Sequence, residues 1–270
     1  MLTIKEYAEV IANAVNGTVK EVEKANGVIM TGIEVPTADN VKAVFYVDKM
    51  YRDRIDTSEA IKTLLEKVKT DDNGRRIDVD FITDFEQVKP RLKARLYNKL
   101  TKVDVYRSAA EYGFDDLIIS AAVTVTMFDG SQASIKVNNQ MLKSWNVTAE
   151  EVLQIAEDNA RKAATITSMF EYMKSLGQIP PFMTEDDVPP MHILTNADMS
   201  YGAYSIIAKL DELKAMFPNG FYMIPSSVHE VLVVDVPADP SEVDSMVQDV
   251  NMEYVNPEEV LSNHAYKIAA

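Results

Sequence analysis

Phe221-Tyr222-Met223-Ile224-Pro225-Ser226-Ser227-Val228-His229-Glu230-Val231-Leu232-Val233-Val234 is a long apolar run, broken once by a polar cluster that holds one of the chain's three histidines. Phe221 to Ile224 combines aromatic and β-branched residues and is closed by Pro225, which fits a short buried strand. Beyond the proline two readings compete. In one, Val228, Glu230, Leu232 and Val234 line one face of a strand and His229, Val231 and Val233 the other, so His229 and Glu230 diverge. In the other, Ser227 and Glu230 form an S-x-x-E capping box that starts a helical turn. That turn would leave Ser227, Val228 and His229 at a strand end, where α/β sheets often place ligand sites. Strand, tight polar turn, strand is the preferred reading.

Outward from this stretch, Pro218-Asn219-Gly220 follows a helix expected over 203–217, with Ile206, Ile207, Leu210, Leu213 and Met216 at helical spacing. Met191 to Leu194 reads as a strand, and the proline-rich 177–190 before it as an irregular loop. Thr148 and Glu151 signal the start of a helix that carries Val152, Ile155, Ala156, Asn159, Ala160 and Ala163 on one side. Leu117 to Phe128 is a near-continuous apolar strand, paired as a hairpin with 133–137 across Asp129-Gly130. Arg91 to Leu100 sets Arg91, Lys93 and Arg95 against Leu92, Ala94 and Leu96, the alternation of a half-solvated strand with a wet basic face. Phosphate contact along that row is the minority reading. Residues 78–88 are expected to be helical up to Pro90.

The N-terminal third opens with a Thr3/Glu6 capping box and Ile4, Tyr7, Ile11 and Val15 at helical spacing, stopped at Asn16-Gly17. Strand-like segments follow at 18–25, 28–35 and 41–47, with Asn26-Gly27 as a hairpin turn and Pro36 to Asn40 as a second. Asp56 or Thr57 caps a helix ending in the polar loop 70–74. After the focal stretch come a helix over 241–251 with Val243, Met246, Val247 and Val250 inward, a helical turn at 257–261 and a strand at 264–268. Helix, meander, then mixed elements give an α+β fold, with antiparallel or mixed sheets packed with helices in two closely packed lobes. The expected bounds are 1–105 for the N-terminal lobe and 106–270 for the C-terminal lobe with the PSSVHE turn.

With 27 basic and 42 acidic residues the formal charge is −15. That balance disfavours direct nucleic-acid binding, which relies on Lys and Arg neutralising phosphates, and disfavours an anionic membrane surface. The absence of cysteine excludes disulfides, thiolate nucleophiles and Cys-based zinc sites. No secretion signal and no membrane-spanning run is recognised, so a cytoplasmic location is expected.

The chemistry-bearing motifs are sparse. Phosphate-loop, dinucleotide and nucleophile-elbow patterns are absent, and Val233 stands where a second histidine would complete H-E-x-x-H. No metal and no cofactor is expected. Ser226, Ser227, His229 and Glu230 supply the residue types of acyl transfer, in which a serine is activated by an imidazole oriented by a carboxylate. A turn whose serines satisfy backbone groups is the simpler account. Trp145, Asn159 and Asn196 are candidate ligand contacts, and Glu258, Glu259, Ser262 and His264 read as a cap and a surface patch.

Pro225-Ser226-Ser227-Val228-His229-Glu230-Val231-Leu232 resembles the PSSxHE signature of an uncharacterised bacterial family frequent in gut Firmicutes, domain of unknown function 5688. Asn26-Gly27 with Gly32-Ile33, Asp115-Asp116-Leu117, Trp145 with Ala156 and Asn159, and Leu194-Thr195-Asn196 with Tyr201-Gly202-Ala203 resemble it in the same order. Met246-Val247, Val250-Asn251, Pro257 to Ser262 and Tyr266 complete the series, so the resemblance spans almost the whole chain. A fainter similarity links Asp116-Leu117, Trp145, Ala156, Asn159 and Gly202-Ala203 to a second uncharacterised bacillar family. Neither implies an activity, cofactor or catalytic residue. The expectation is a non-catalytic binding or accessory protein with a protein or small-molecule partner; the alternative is a hydrolase built on Ser226 or Ser227, His229 and Glu230.

Overall fold

The computed structural model describes residues 2–36, 42–72, 80–126, 132–188, 190–235 and 240–269. The chain divides into two compact units, Met1–Val79 with Thr126–Gln132, and Asp80–Val125 with Ala133–Ala270.

In the first unit, helix α1 (Ile4–Ala14) opens on the expected capping box: Glu6 N donates to Thr3 Oγ1 at 3.3 Å, and Thr3 N donates to Glu6 Oε2 at 2.7 Å. Strands β1 (Thr18–Glu23), β2 (Ile29–Pro36) and β3 (Lys42–Tyr46) form an antiparallel meander. Asn26 (φ 61°) and Gly27 (φ 70°) both adopt the left-handed conformation at the first hairpin, and Val28 N reaches Ala25 O at 3.2 Å, as a type I′ turn requires. The second turn, at 37–40, lies outside the described residues. Helix α2 (Asp48–Arg52) follows. Helix α3 (Thr57–Asp72) is capped by Asp56, whose Oδ1 accepts from Ser58 N and Glu59 N. It runs through Thr70–Asp72, which the sequence reading put in a loop. Tyr7, Ile11, Ile33, Val47 and Leu64 meet in this unit's core, each worth roughly 1.5–3 kcal/mol of burial.

The second unit begins with α4 (Phe85–Val88), capped by Asp84 where a longer helix was expected. A sheet follows from β4 (Leu92–Asn98), β5 (Tyr106–Ala109), β6 (Phe114–Thr126) and β7 (Gln132–Lys136). Its order is β4-β6-β5, with β7 also on β6. β4 pairs with β6 from Leu92↔Val123 to Asn98↔Leu117, which fastens the segment after residue 80 to this unit. Leu117–Val123 is buried throughout, explaining a sequence that is apolar but for Ser120, whose hydroxyl donates to Val105 O.

Helices α5 (Asn139–Trp145) and α6 (Ala149–Ala163) come next, the second capped by Thr148 Oγ1 accepting from Glu151 N. α6 packs on β4, with Val152, Leu153 and Ala156 in the same core as Leu92 and Leu96. The remaining elements are β8 (Ala164–Ser168), α7 (Met169–Ser175), β9 (Met191–Asn196), α8 (Ser205–Ala208), α9 (Leu210–Met216), β10 (Phe221–Ile224), β11 (Val231–Val234), α10 (Pro240–Tyr254) and β12 (Tyr266–Ile268). The strands form an antiparallel sheet ordered β12-β10-β11-β9-β8. The fold is therefore α+β, and all of the described ladders are antiparallel.

Several local expectations are corrected. The helix over 203–217 is broken at Lys209 into α8 and α9. On α10 only Val243 and Val247 of the four expected inward residues are buried; Met246 and Val250 face solvent. Residues 257–259 form a hydrogen-bonded turn, not helix, closed by Glu259 N to Asn256 O. β4 is not half-solvated: Arg95 is 7% exposed and Tyr97 is buried with it.

Candidate functional site

The focal stretch is strand, turn, strand. β10 and β11 pair antiparallel through Ile224↔Leu232, and residues 225–230 form the connection. Ser227 N donates to Glu230 O at 3.1 Å, and the Ser227 hydroxyl accepts from His229 N at 3.1 Å, so this serine closes its own turn. Ser226 Oγ stands 3.5 Å from Glu230 Oε1.

His229 faces elsewhere. Its Nδ1 accepts from the backbone N–H of Tyr201 at 3.1 Å, and its Nε2 faces Glu259 Oε1 at 3.4 Å. Accepting at Nδ1 places the neutral ring's proton on Nε2. A general base needs an uncommitted lone pair aimed at the nucleophile, and this imidazole has none. Among the described residues neither Ser226 nor Ser227 comes within hydrogen-bond reach of the ring, so the structure does not bring the four candidates into a relay.

What the turn does is hold a loop. Gly202 N donates to His229 O at 2.8 Å, Ala203 N to Val228 O at 3.2 Å, and Thr195 Oγ1 to His229 O at 2.9 Å. Val228 N is tied to Glu259 O at 2.9 Å. A Cβ at Gly202 would lie 2.6 Å from Asn196 N and 2.8 Å from His229 O, and against Thr195 Oγ1, so the close approach requires glycine. Asn196 folds the loop from its other end: its Oδ1 accepts from Asp198 N (3.1 Å) and Ser200 N (3.2 Å), and its Nδ2 donates to Ser200 O (2.8 Å). Met199 and Tyr201 are both held at φ 50°, a left-handed conformation costing a side-chain-bearing residue roughly 1–2 kcal/mol. The hydrogen bonds from the PSSVHE turn offset that strain.

The loop's product is the position of Tyr201. Its ring lies 4.9 Å from the His229 ring, 6.2 Å edge-on from Tyr97, and 3.7 Å from the Arg95 guanidinium carbon. Burial raises the Tyr201 phenol above its ordinary value; Tyr97, Glu258 and Glu259 add to the effect and Arg95 opposes it. A narrow crevice beside Tyr201 is lined by Lys93, Asn196, Gly202, Tyr204 and Ser205. Strained backbone, a buried cation and a stacked aromatic therefore converge at one end of the β9–β11 pair.

The other candidate ligand contacts are occupied by the protein's own backbone. Trp145 Nε1 donates to Ile82 O at 2.6 Å while its ring stacks on Phe85. Asn159 Nδ2 donates to Lys89 O (2.8 Å) and Leu92 O (3.1 Å), tying α6 to the start of β4.

Two clusters join residues far apart in the chain; the second takes in Ser262 and His264, expected on a surface patch, and buries the serine. Glu157 is 2% exposed on α6, and Arg107 holds it bidentately, with Nε to Oε1 at 2.8 Å and Nη2 to Oε2 at 2.6 Å. Tyr204 OH adds a bond to Glu157 Oε2 at 2.9 Å. Near the C-terminus, Ser262 Oγ donates to Asp116 Oδ2 at 3.0 Å and meets His264 Nδ1 at 3.1 Å, and Tyr266 OH also donates to Asp116. Here the serine stands between acid and imidazole, not at the end of a relay, and it is 1% exposed. The cluster docks β12, with Ser262 enclosed in it and His264 at its solvent-exposed edge. Sequence spacing could not join residues so far apart in the chain.

Among the described residues no group of three or more His, Asp or Glu could hold a metal ion, and no helix is long and apolar enough to cross a membrane. No curated protein and no solved structure matches the chain. The model of the family of unknown function DUF5688 matches residues 3–268, and the chain belongs to that family.

Proposed function

We propose that this is a cytoplasmic bacterial protein that works by binding, as a non-catalytic or accessory component, with a small molecule or another protein as its partner. One observation carries the reading: both nitrogens of His229 are engaged, Nδ1 by the Tyr201 amide and Nε2 against Glu259. His229 is spent on holding the Tyr201 loop and the Ser227 hydroxyl on closing its own turn. The formal charge of −15 supports a partner other than nucleic acid or an anionic membrane.

The test is a screen of esters and amides with the wild-type protein, Ser226→Ala, Ser227→Ala and His229→Gln, beside amide hydrogen exchange. The reading expects no turnover that depends on these residues, and faster exchange at Tyr201 and Gly202 in His229→Gln. Turnover abolished by His229→Gln and by either serine variant would overturn it.

A further inference from the structure

Arg95 poses a question that the loop geometry leaves unanswered. It is 7% exposed, its Nε is buried without a hydrogen-bond partner, and its Nη1 has only a 3.4 Å contact to Tyr97 OH. Among the described residues no carboxylate pairs with it. Glu258 and Glu259 act electrostatically on Tyr201, and Glu259 is turned to His229. Lys93, two residues earlier on β4 and on the same face, also has no ion pair among the described residues, and it lines the crevice beside Tyr201. In a chain with 42 acids and 27 bases, carboxylates are not scarce. Two neighbouring cations without one, the more buried of them stacked on a strained tyrosine, form a constellation that lacks an anion.

We propose that Arg95 and Lys93, with the Tyr201 loop as their cover, bind the oxyanion group, carboxylate or phosphate, of a small molecule. A guanidinium presents a planar fork of donors that fits either oxyanion, and a buried charge without a counter-charge is costly, so this pair of cations favours an anionic ligand over any apolar occupant. Tyr201 supplies an aromatic wall against which the body of the ligand packs. A polyanion is the wrong partner: a chain of charge −15 repels it at long range, whereas a small anion is held by short-range bonds to a guanidinium that the fold has already desolvated. The loop residues Met199 and Tyr201, both at φ 50°, are where movement would open the path to the guanidinium.

This assignment deepens the binding reading and rests on it. Its test is an NMR titration of the Arg95 side-chain Nε–H and the Tyr201 amide with inorganic phosphate and, separately, acetate, at constant ionic strength set with sodium chloride. The expected result is a saturable shift of both signals with at least one oxyanion. In Arg95→Met, binding should weaken at least tenfold, while Arg91→Met, which removes a cation stacked on Phe81 outside the site, should bind as wild type does. Saturation by phosphate alone assigns a phosphate ester, by acetate alone a carboxylate, and by both a general oxyanion; each supports the proposal. Signals that move only as they do with chloride, or Arg95→Met binding unchanged, overturn it. The wild-type titration decides the matter even if Arg95→Met fails to fold. A negative titration with no ester or amide turnover leaves the binding reading standing, so the two failures are distinguishable.

Discussion

Replacing Glu157 with Gln should be among the most damaging single-atom exchanges in the second unit. The carboxylate is almost fully enclosed and accepts two bonds from Arg107 and one from Tyr204. An amide turns one acceptor into a donor facing either a guanidinium or a phenol. Breaking a buried pair by removing one charge costs about 3–5 kcal/mol. Arg107 keeps 30% of its side chain in solvent and retains Glu111 at 3.1 Å and the Tyr112 hydroxyl at 3.2 Å, which places the expected loss near the lower end, about 3 kcal/mol. At about 2–4 °C per kcal/mol for a unit of this size, Tm should fall by about 6–12 °C. Chemical denaturation of Glu157→Gln, Arg107→Met and the double variant gives the coupling directly. The double variant should be more stable than Glu157→Gln, because it no longer leaves a guanidinium without its carboxylate. A loss below about 1 kcal/mol in Glu157→Gln, or strictly additive losses, would refute the assignment of this network as the unit's polar anchor.

Other consequences can be checked as readily. Gly202→Ala should cost about 2–3 kcal/mol, because two of the three obstructing atoms are backbone and cannot rotate away; a thermal melt within 2 °C of wild type would show that the loop yields. Backbone N–H donors hold the Asp56 carboxyl (Glu59, Ser58) below its ordinary 3.8 and, with the Thr3 hydroxyl, the Glu6 carboxyl below its ordinary 4.5. Since the folded values are depressed, their stabilisation is present above the unfolded values and lost as pH falls through the folded ones. Melts taken from about one pH unit above these ordinary values down to about one unit below them should therefore decline less steeply in Asp56→Asn than in wild type; parallel curves would contradict the cap. Tyr266 is pushed up first by burial and then by its bond to Asp116, so its stabilisation is present below the ordinary 10.0 and lost as pH rises toward the folded value. Phenolate absorbance should show Tyr266 ionising only with unfolding, and Tyr266→Phe should remove that component.

Local chemistry was legible where neighbours in the chain decide the outcome. Thr3 with Glu6, Asn26-Gly27 and Pro225-Ser226-Ser227 each dictate a cap or turn through their own backbone bonds, and the structure has those features. Leu117–Val123 announced a strand buried on both faces by its lack of alternation. Tertiary context overrode the pattern in β4, where alternation suggested solvent on the Arg95 face and burial of Arg95 and Tyr97 proved otherwise. The candidate site was legible as an address, not as an arrangement. His229 stood out as a rare residue in a polar turn, but its role depends on Tyr201 and Glu259, 28 and 30 positions away along the chain, and no periodicity links them. Asn159 and Asn196 were conspicuous for the same reason that they are structural. A side-chain amide inside an apolar face or before a tight loop satisfies backbone groups that would otherwise be buried unpaired.

The most direct test of the account is the tautomer of His229, read from imidazole nitrogen shifts and long-range proton–nitrogen couplings, with His229→Gln to assign the ring. The expected result is an unprotonated Nδ1 and a protonated Nε2 in the neutral ring, a Tyr201 amide shift that changes when the ring is replaced, and no response of the ring to Ser226→Ala. An Nδ1-protonated ring with a free Nε2 lone pair, or one whose titration moves with Ser226→Ala, would contradict it and return the PSSVHE turn to the candidates for catalysis.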